Sequence, residues 1–257
     1  MTATVQQAVL TSEWTKARTL RSTTWPLLLT VVASVGLSVA FGLYLRGSFD
    51  RMPVADQRGF NTAEFAVGSV VYGQILLVAF GVLVVCSEYS GGTIRTSLAA
   101  VPRRGTFYSA KVLVGTALAL VVSAVTVAGA YLAAHVALGS RSGPLLGPDE
   151  SRILVGSTLY LTLICAFSIG VATMLRSAAL SLGTLIPFFF VVSNILGHVP
   201  VVREIGQYLP DQAGHQIMVA TPRPDSPLGP WTGLLVMAAW AVVALGGGYV
   251  LLTRRDA

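Results

Sequence analysis

The chain has 257 residues, 54% of them hydrophobic and only 11% charged, with a net charge of +6 and a mean hydropathy of +0.72. Soluble domains carry about 25% charged residues, so this composition excludes an ordinary water-soluble fold and makes a bilayer the natural solvent. The positive charge does not point to nucleic acid: no aromatic-basic recognition motif is present, and Lys and Arg collect on the cytoplasmic side of inserted segments for a simpler reason.

The first segment is an arm in which Leu10, Trp14 and Ala17 recur at i, i+4 and i+7, with Glu13, Lys16 and Arg18 around them. That spacing predicts an amphipathic helix at the cytoplasmic interface over residues 1–25, with Trp14 and Trp25 at headgroup level. A tail without structure is the alternative. The arm lacks the basic start and short apolar core of a cleavable signal peptide. Six apolar stretches follow, at 26–45, 64–86, 112–138, 153–175, 178–197 and 231–252. Each has the roughly 20 residues needed to cross about 30 Å of hydrocarbon, and the third is long enough to tilt or extend beyond it. The predicted fold is an all-α integral membrane protein of one domain, 1–257, with six transmembrane helices behind an interfacial helix.

Six spans put both termini on one side. If that side is the cytoplasm, the inner segments hold ten Lys and Arg residues and the outer loops seven. Arg18, Arg21, Arg254 and Arg255 crowd the ends of the first and last spans. This predicts a multi-pass plasma-membrane protein with cytoplasmic N- and C-termini.

Within the second span, Tyr72 and Gln74 are polar, as are Ser193 and Asn194 near the outer end of the fifth. Tyr72, Gln74 and Asn194 are candidates for a substrate path between protomers; interhelical hydrogen bonds explain them equally well. Pro187 is expected to bend the fifth span. The stretch 198–230 reads as an extracellular loop. From Val199 onward it holds six prolines, and its apolar Ile205, Leu209, Ile217 and Met218 suggest short interfacial or re-entrant helices. Cys86 and Cys165 read as packing residues. The three histidines match no metal-ligand spacing, and no Ser-His-Asp arrangement can be assigned. No carboxylate falls near mid-span, which argues against an ion-coupled pump. No phosphate-binding G-x-x-x-x-G-K-[ST] loop occurs, so any ATP-driven work requires another chain.

The most specific signal is the loop 87–111. Gly91 and Gly92 interrupt the chain, Ile94, Leu98 and Val101 recur at i, i+4 and i+7, and Pro102 ends the pattern before Arg103 and Arg104. This predicts a two-turn amphipathic helix with cations at its C-terminal end. Glu88, the loop's single acid, can pair with Arg103, Arg104, Lys111 or a basic group on a partner.

Glu88, Gly92-Thr93, Leu98, Pro102-Arg103-Arg104 and Lys111 together resemble the loop between the second and third spans of type 2 ABC transporter permeases. The six-span layout and the long segment before the last span extend that resemblance over the chain. Tyr208-Leu209-Pro210 and Ala213-Gly214 are similar to actinobacterial-looking members. The resemblance implies a permease subunit of an exporter that holds no cofactor of its own. Two copies of an ABC ATPase subunit would bind Mg-ATP, and a second permease protomer, identical or a sister chain, would complete the complex. Glu88, Gly92, Thr93, Ile94, Arg95, Leu98 and Val101 would form the coupling element, with Arg103 and Arg104 facing the ATPase or lipid headgroups. A solvated basic turn is the plainer account of the same loop. A polytopic accessory or immunity protein without an ATPase is the alternative function, and an integral-membrane enzyme comes third because the spans lack a catalytic polar cluster.

Overall fold

The computed structural model describes residues 2–93, 104–199, 202–221 and 226–254, and these contain helices and turns but no strand. An N-terminal helix, Thr2–Thr19, runs up to Leu20, whose extended backbone (φ −76°, ψ 120°) breaks the helix before the first span, Arg21–Ser48. The Thr23 hydroxyl ties this joint by donating to the carbonyls of Ala17 at 3.0 Å and Leu20 at 2.8 Å. The remaining spans are Thr62–Ser90, Arg104–Leu138, Pro148–Leu175, Ala178–Gly197 and Pro230–Arg254. Among the described residues, six helices are thus long and apolar enough to cross a membrane. The third span helix, 35 residues long, measures about 52 Å at 1.5 Å per residue. It therefore outruns the hydrocarbon, and its first turns project beyond the core.

Local chemistry sets several of the ends. Asn61 caps the second span by accepting the Glu64 amide at 2.9 Å, satisfying one of the orphan donors of the first turn. Arg176 adopts a left-handed conformation (φ 56°) to stop the fourth span, and Ser177 then caps the fifth. Two residues suffice to reverse the chain there. Past Pro187 the fifth span continues through a π-helical stretch, Phe188–Val192, before Ser193–His198. A proline removes a backbone donor, and the wider π turn is one way a helix absorbs the defect.

The second and fourth spans form the centre. In their most apolar windows 67% of residues are buried, against 22% for the first and fifth spans and 28% for the sixth. The outer helices leave apolar faces, including Leu28, Val32 and Leu43 on the first span and Leu235, Val242 and Val243 on the sixth. Only lipid or another helix can cover these. Inside, small residues permit close approach. A Cβ on Gly170 would lie 2.4 Å from the Ala244 carbonyl carbon, so glycine alone lets the fourth and sixth helices touch backbone to backbone.

Short helices form between the fifth and sixth spans: Arg203–Gly206, Pro210–His215 and Gln216–Met218. Ile217 and Met218 are buried completely, whereas Ile205 is 76% exposed. The segment enters the bundle far enough for Gly214 to meet the Tyr160 ring. Arg152 holds it there by donating to the carbonyls of Ile217, Val219 and Ala220 at 3.3, 3.0 and 3.0 Å, and Glu64 accepts the Ala220 amide at 3.0 Å.

Candidate functional site

Four charged side chains meet at the end of the bundle that carries the N-terminal helix. Glu88 sits one turn past Val84 on the last turns of the second span, and Lys111 one turn past Phe107 on the first turns of the third. The N-terminal helix lays Val9, Glu13 and Ala17 against them. These positions are i, i+4 and i+8, so they share one face. Lys111 Nζ lies 2.6 Å from Glu13 Oε2 and 3.0 Å from Glu88 Oε1. Lys16 Nζ lies 2.8 Å from Glu13 Oε1 and 2.8 Å from Glu88 Oε1. Each lysine therefore bridges both acids, and the second and third spans and the N-terminal helix share one knot of charge.

The knot is dry. Glu13, Glu88 and Lys111 are each 5% exposed, and the Phe107 ring stands 5.1 Å from the Lys111 ammonium and 5.9 Å from that of Lys16. Isolated ions in such a place would be expensive; two acids and two bases cancel in sum. Burial pushes the Glu13 carboxyl up, but Lys111 and Lys16 outweigh it and hold the group below its ordinary 4.5. Burial likewise pushes the Lys16 ammonium down, and Glu13 and Glu88 outweigh that, holding it above 10.5. Both shifts favour the ionised pairs across the neutral range.

Beside the knot, three groups tie the last turns of the sixth span. Arg104 Nη1 donates to the Leu252 carbonyl at 3.1 Å, Tyr108 to that of Leu245 at 2.9 Å, and Arg176 Nη2 to that of Leu251 at 3.3 Å. Cations suit this helix C-terminus, where carbonyls lack partners. Arg176 also stacks over the Tyr89 ring at 5.7 Å. Both mounts of the loop between the second and third spans are thereby fixed, one through Glu88 and Tyr89, the other through Arg104 and Lys111.

The expected coupling residues divide accordingly. Glu88 pairs with Lys111, one of its expected partners, and also with Lys16. Gly92 (φ 67°) and Thr93 belong to the turn that closes the second span, where the Gly91 amide donates to Ser87 at 3.1 Å. Arg104 is folded against the sixth span. Ile94, Arg95, Leu98, Val101 and Arg103, with the predicted two-turn helix, lie outside the described residues.

Of the candidate path residues, Gln74 is buried and accepts the Tyr160 hydroxyl at 2.8 Å, and it lines a cavity together with Asn194 at the end of the bundle away from the knot. Tyr72 is 55% exposed on another face, against Phe41, and does not join them.

The interfacial pattern set Leu10, Trp14 and Ala17 on the apolar side, with Trp14 at headgroup level. Trp14 is 42% exposed, open to such a contact, while the face packed against the second and third spans carries Val9, Glu13 and Ala17. The Trp14 indole stacks with Arg18 at 5.6 Å. The sequence signal was Val9-Glu13-Ala17, a charged residue at the centre of a small apolar stripe.

The fold and its exposed apolar belts define a multi-pass membrane protein with a polar knot at one end. A family profile described as ABC-2 family transporter protein matches residues 8–257. The chain belongs to that family and is a membrane permease of an ABC transporter, a transport subunit of a kind that normally works with an ABC ATPase. No curated protein matches it.

Proposed function

We propose that this chain is the permease subunit of an ATP-driven exporter in the plasma membrane, with both termini cytoplasmic. It moves a hydrophobic or amphipathic substrate outward, powered by two copies of a separate Mg-ATP-binding ABC ATPase, and pairs with a second permease protomer. The narrower likeness to actinobacterial members rests on the 208–214 motif alone.

The observation that carries this reading is the fastening of both roots of the 87–111 loop, through Glu88 and Tyr89 on one side and Arg104 and Lys111 on the other. A loop that only turned the chain would need no buried ion knot at one root and no guanidinium clamps at the other. A loop that receives force does. In this account the ATPase engages the segment 93–101. Glu88 is then a positioning residue. It does not touch the ATPase but locks the N-terminal helix and the roots of the second and third spans into one body, so that a push on the loop reaches all three.

The test is gentle purification of the tagged chain from its native membrane. A P-loop ATPase should co-purify and should be released when 93–101 is altered. Absence of any ATPase under conditions that preserve ABC complexes would favour an accessory protein instead.

A further inference from the structure

The cavity between the second, fourth and fifth spans and the short outer helices has a volume of about 470 Å³, within the roughly 300–1,000 Å³ of small-molecule sites. It runs inward from Glu64 to Gln74, which lies about 15 Å deeper along the helix at 1.5 Å per residue. It belongs to a single protomer. Its chemistry is unusual for this chain. The sequence holds seven glutamines and two asparagines, and Gln74, Asn194, Gln207, Gln212 and Gln216 all line this one space.

At the floor, Gln74 is 2% exposed. Its oxygen is taken by the Tyr160 hydroxyl, while its amide nitrogen has no hydrogen-bond partner among the described residues. Gln216, nearer the mouth, makes no side-chain hydrogen bond among them either. Buried amide donors are ordinarily paired; this one lines the cavity, where water or an acceptor carried by a guest can reach it. Of the charged side chains, Glu64 and Asp211 share the lining with Arg203, and His215 stands beside them. Burial pushes the Asp211 carboxyl up, against hydrogen bonds from Ser193 and Gln212 that pull it down. Phe189, Phe190 and Tyr160 contribute aromatic side chains to the wall.

We propose that this cavity binds a neutral sugar ring. Carboxamides offer a donor and an acceptor in one plane without charge, which matches vicinal hydroxyls, and aromatic faces suit the C–H side of a pyranose. An anion would meet Glu64 and Asp211, a cation would meet Arg203, and a purely apolar guest would strand the amides. Treating this ligand as transported cargo rests on the permease reading; the binding itself does not.

The full chain, purified in a detergent without a sugar headgroup and placed in phospholipid nanodiscs with no ATPase, is titrated with maltose and with octyl maltoside below its micelle concentration. Saturable binding of at least one is expected, weakened tenfold or more by Gln74→Leu and by Gln216→Ala. The second variant removes no internal bond and guards against misfolding of the first. Binding of both probes points to a soluble saccharide, and binding of octyl maltoside alone to a lipid-linked one. No binding of either probe, binding unchanged by Gln216→Ala in a folded protein, or preferential binding of triglycine overturns the proposal. Because no ATPase takes part, the permease reading stands or falls separately, on co-purification.

Discussion

The two ends of this bundle are polar in opposite ways. At the knot, two carboxylates and two ammoniums are packed within ion-pair distance, and the side chains leave little space between them. At the outer cavity, carboxamides are spread around a space of about 470 Å³, and one of the most buried is only half satisfied. Charges that pair internally fasten elements together, since separating them would leave ions uncompensated. Neutral amides around a void fasten little and remain available to a guest. The same membrane solvent thus tolerates one polar site built for rigidity and another built for exchange.

The sharpest way to break this contrast is Lys111→Met. It removes the ammonium common to Glu13 and Glu88 and leaves Lys16, which is partly exposed, to hold both. Stripping one partner from a buried ion cluster costs about 3–5 kcal/mol. Thermal unfolding should show that loss, and limited proteolysis should cut within the N-terminal helix. A smaller effect is expected of Glu88→Gln, about 1–3 kcal/mol from weakened charge-assisted bonds. Here membrane insertion should be nearly normal while ATP-driven transport falls; normal transport at equal protein level removes Glu88 from the mechanism.

Acid should loosen the knot without any substitution. The Glu13 carboxyl is held below 4.5, so its contribution is present above the ordinary carboxylate value and is lost as pH falls through the depressed one. Lys16, held above 10.5, contributes fully below that value and loses its share only as pH rises beyond it. Protease sensitivity of the N-terminal helix should therefore rise below about pH 4 and stay flat from there through neutrality. At the other end, Tyr160→Phe removes a single neutral hydrogen bond to Gln74 and should cost only about 1 kcal/mol. Should it rival Lys111→Met, the cavity would be a structural fastening after all.

Hydropathy made the six spans legible because lipid imposes one rule on every exposed turn, and each helix lies where the apolar run placed it. The helix ends were less so. The third helix begins at Arg104 rather than near Val112, since a helix projecting beyond the hydrocarbon can be polar and so leaves no hydropathy signal. The pairing of Glu88 with Lys111 was foreseeable as one of several choices; the arrival of Glu13 was not. A surface pattern gives no reason to bury a glutamate, and only the tertiary meeting of three helices supplies its two ammonium partners. The outer cavity was half visible: Gln74 and Asn194 stood out as polar residues in apolar spans, whereas Gln207, Gln212 and Gln216 sit in a proline-rich stretch where glutamine is unremarkable.

The central claim is that the N-terminal helix and the root of the 87–111 loop, proposed to couple to the ATPase, move as one body. Thr11 and Ser90 are exposed, and the native Cys86 and Cys165 are free but buried, so Thr11→Cys and Ser90→Cys can carry spin labels selectively. The distance between them is measured in the permease–ATPase complex, with and without ATP. One narrow distribution, unchanged by ATP and broadened by Lys111→Met, is the predicted result. A distance that shifts with ATP in the otherwise native chain would contradict the account.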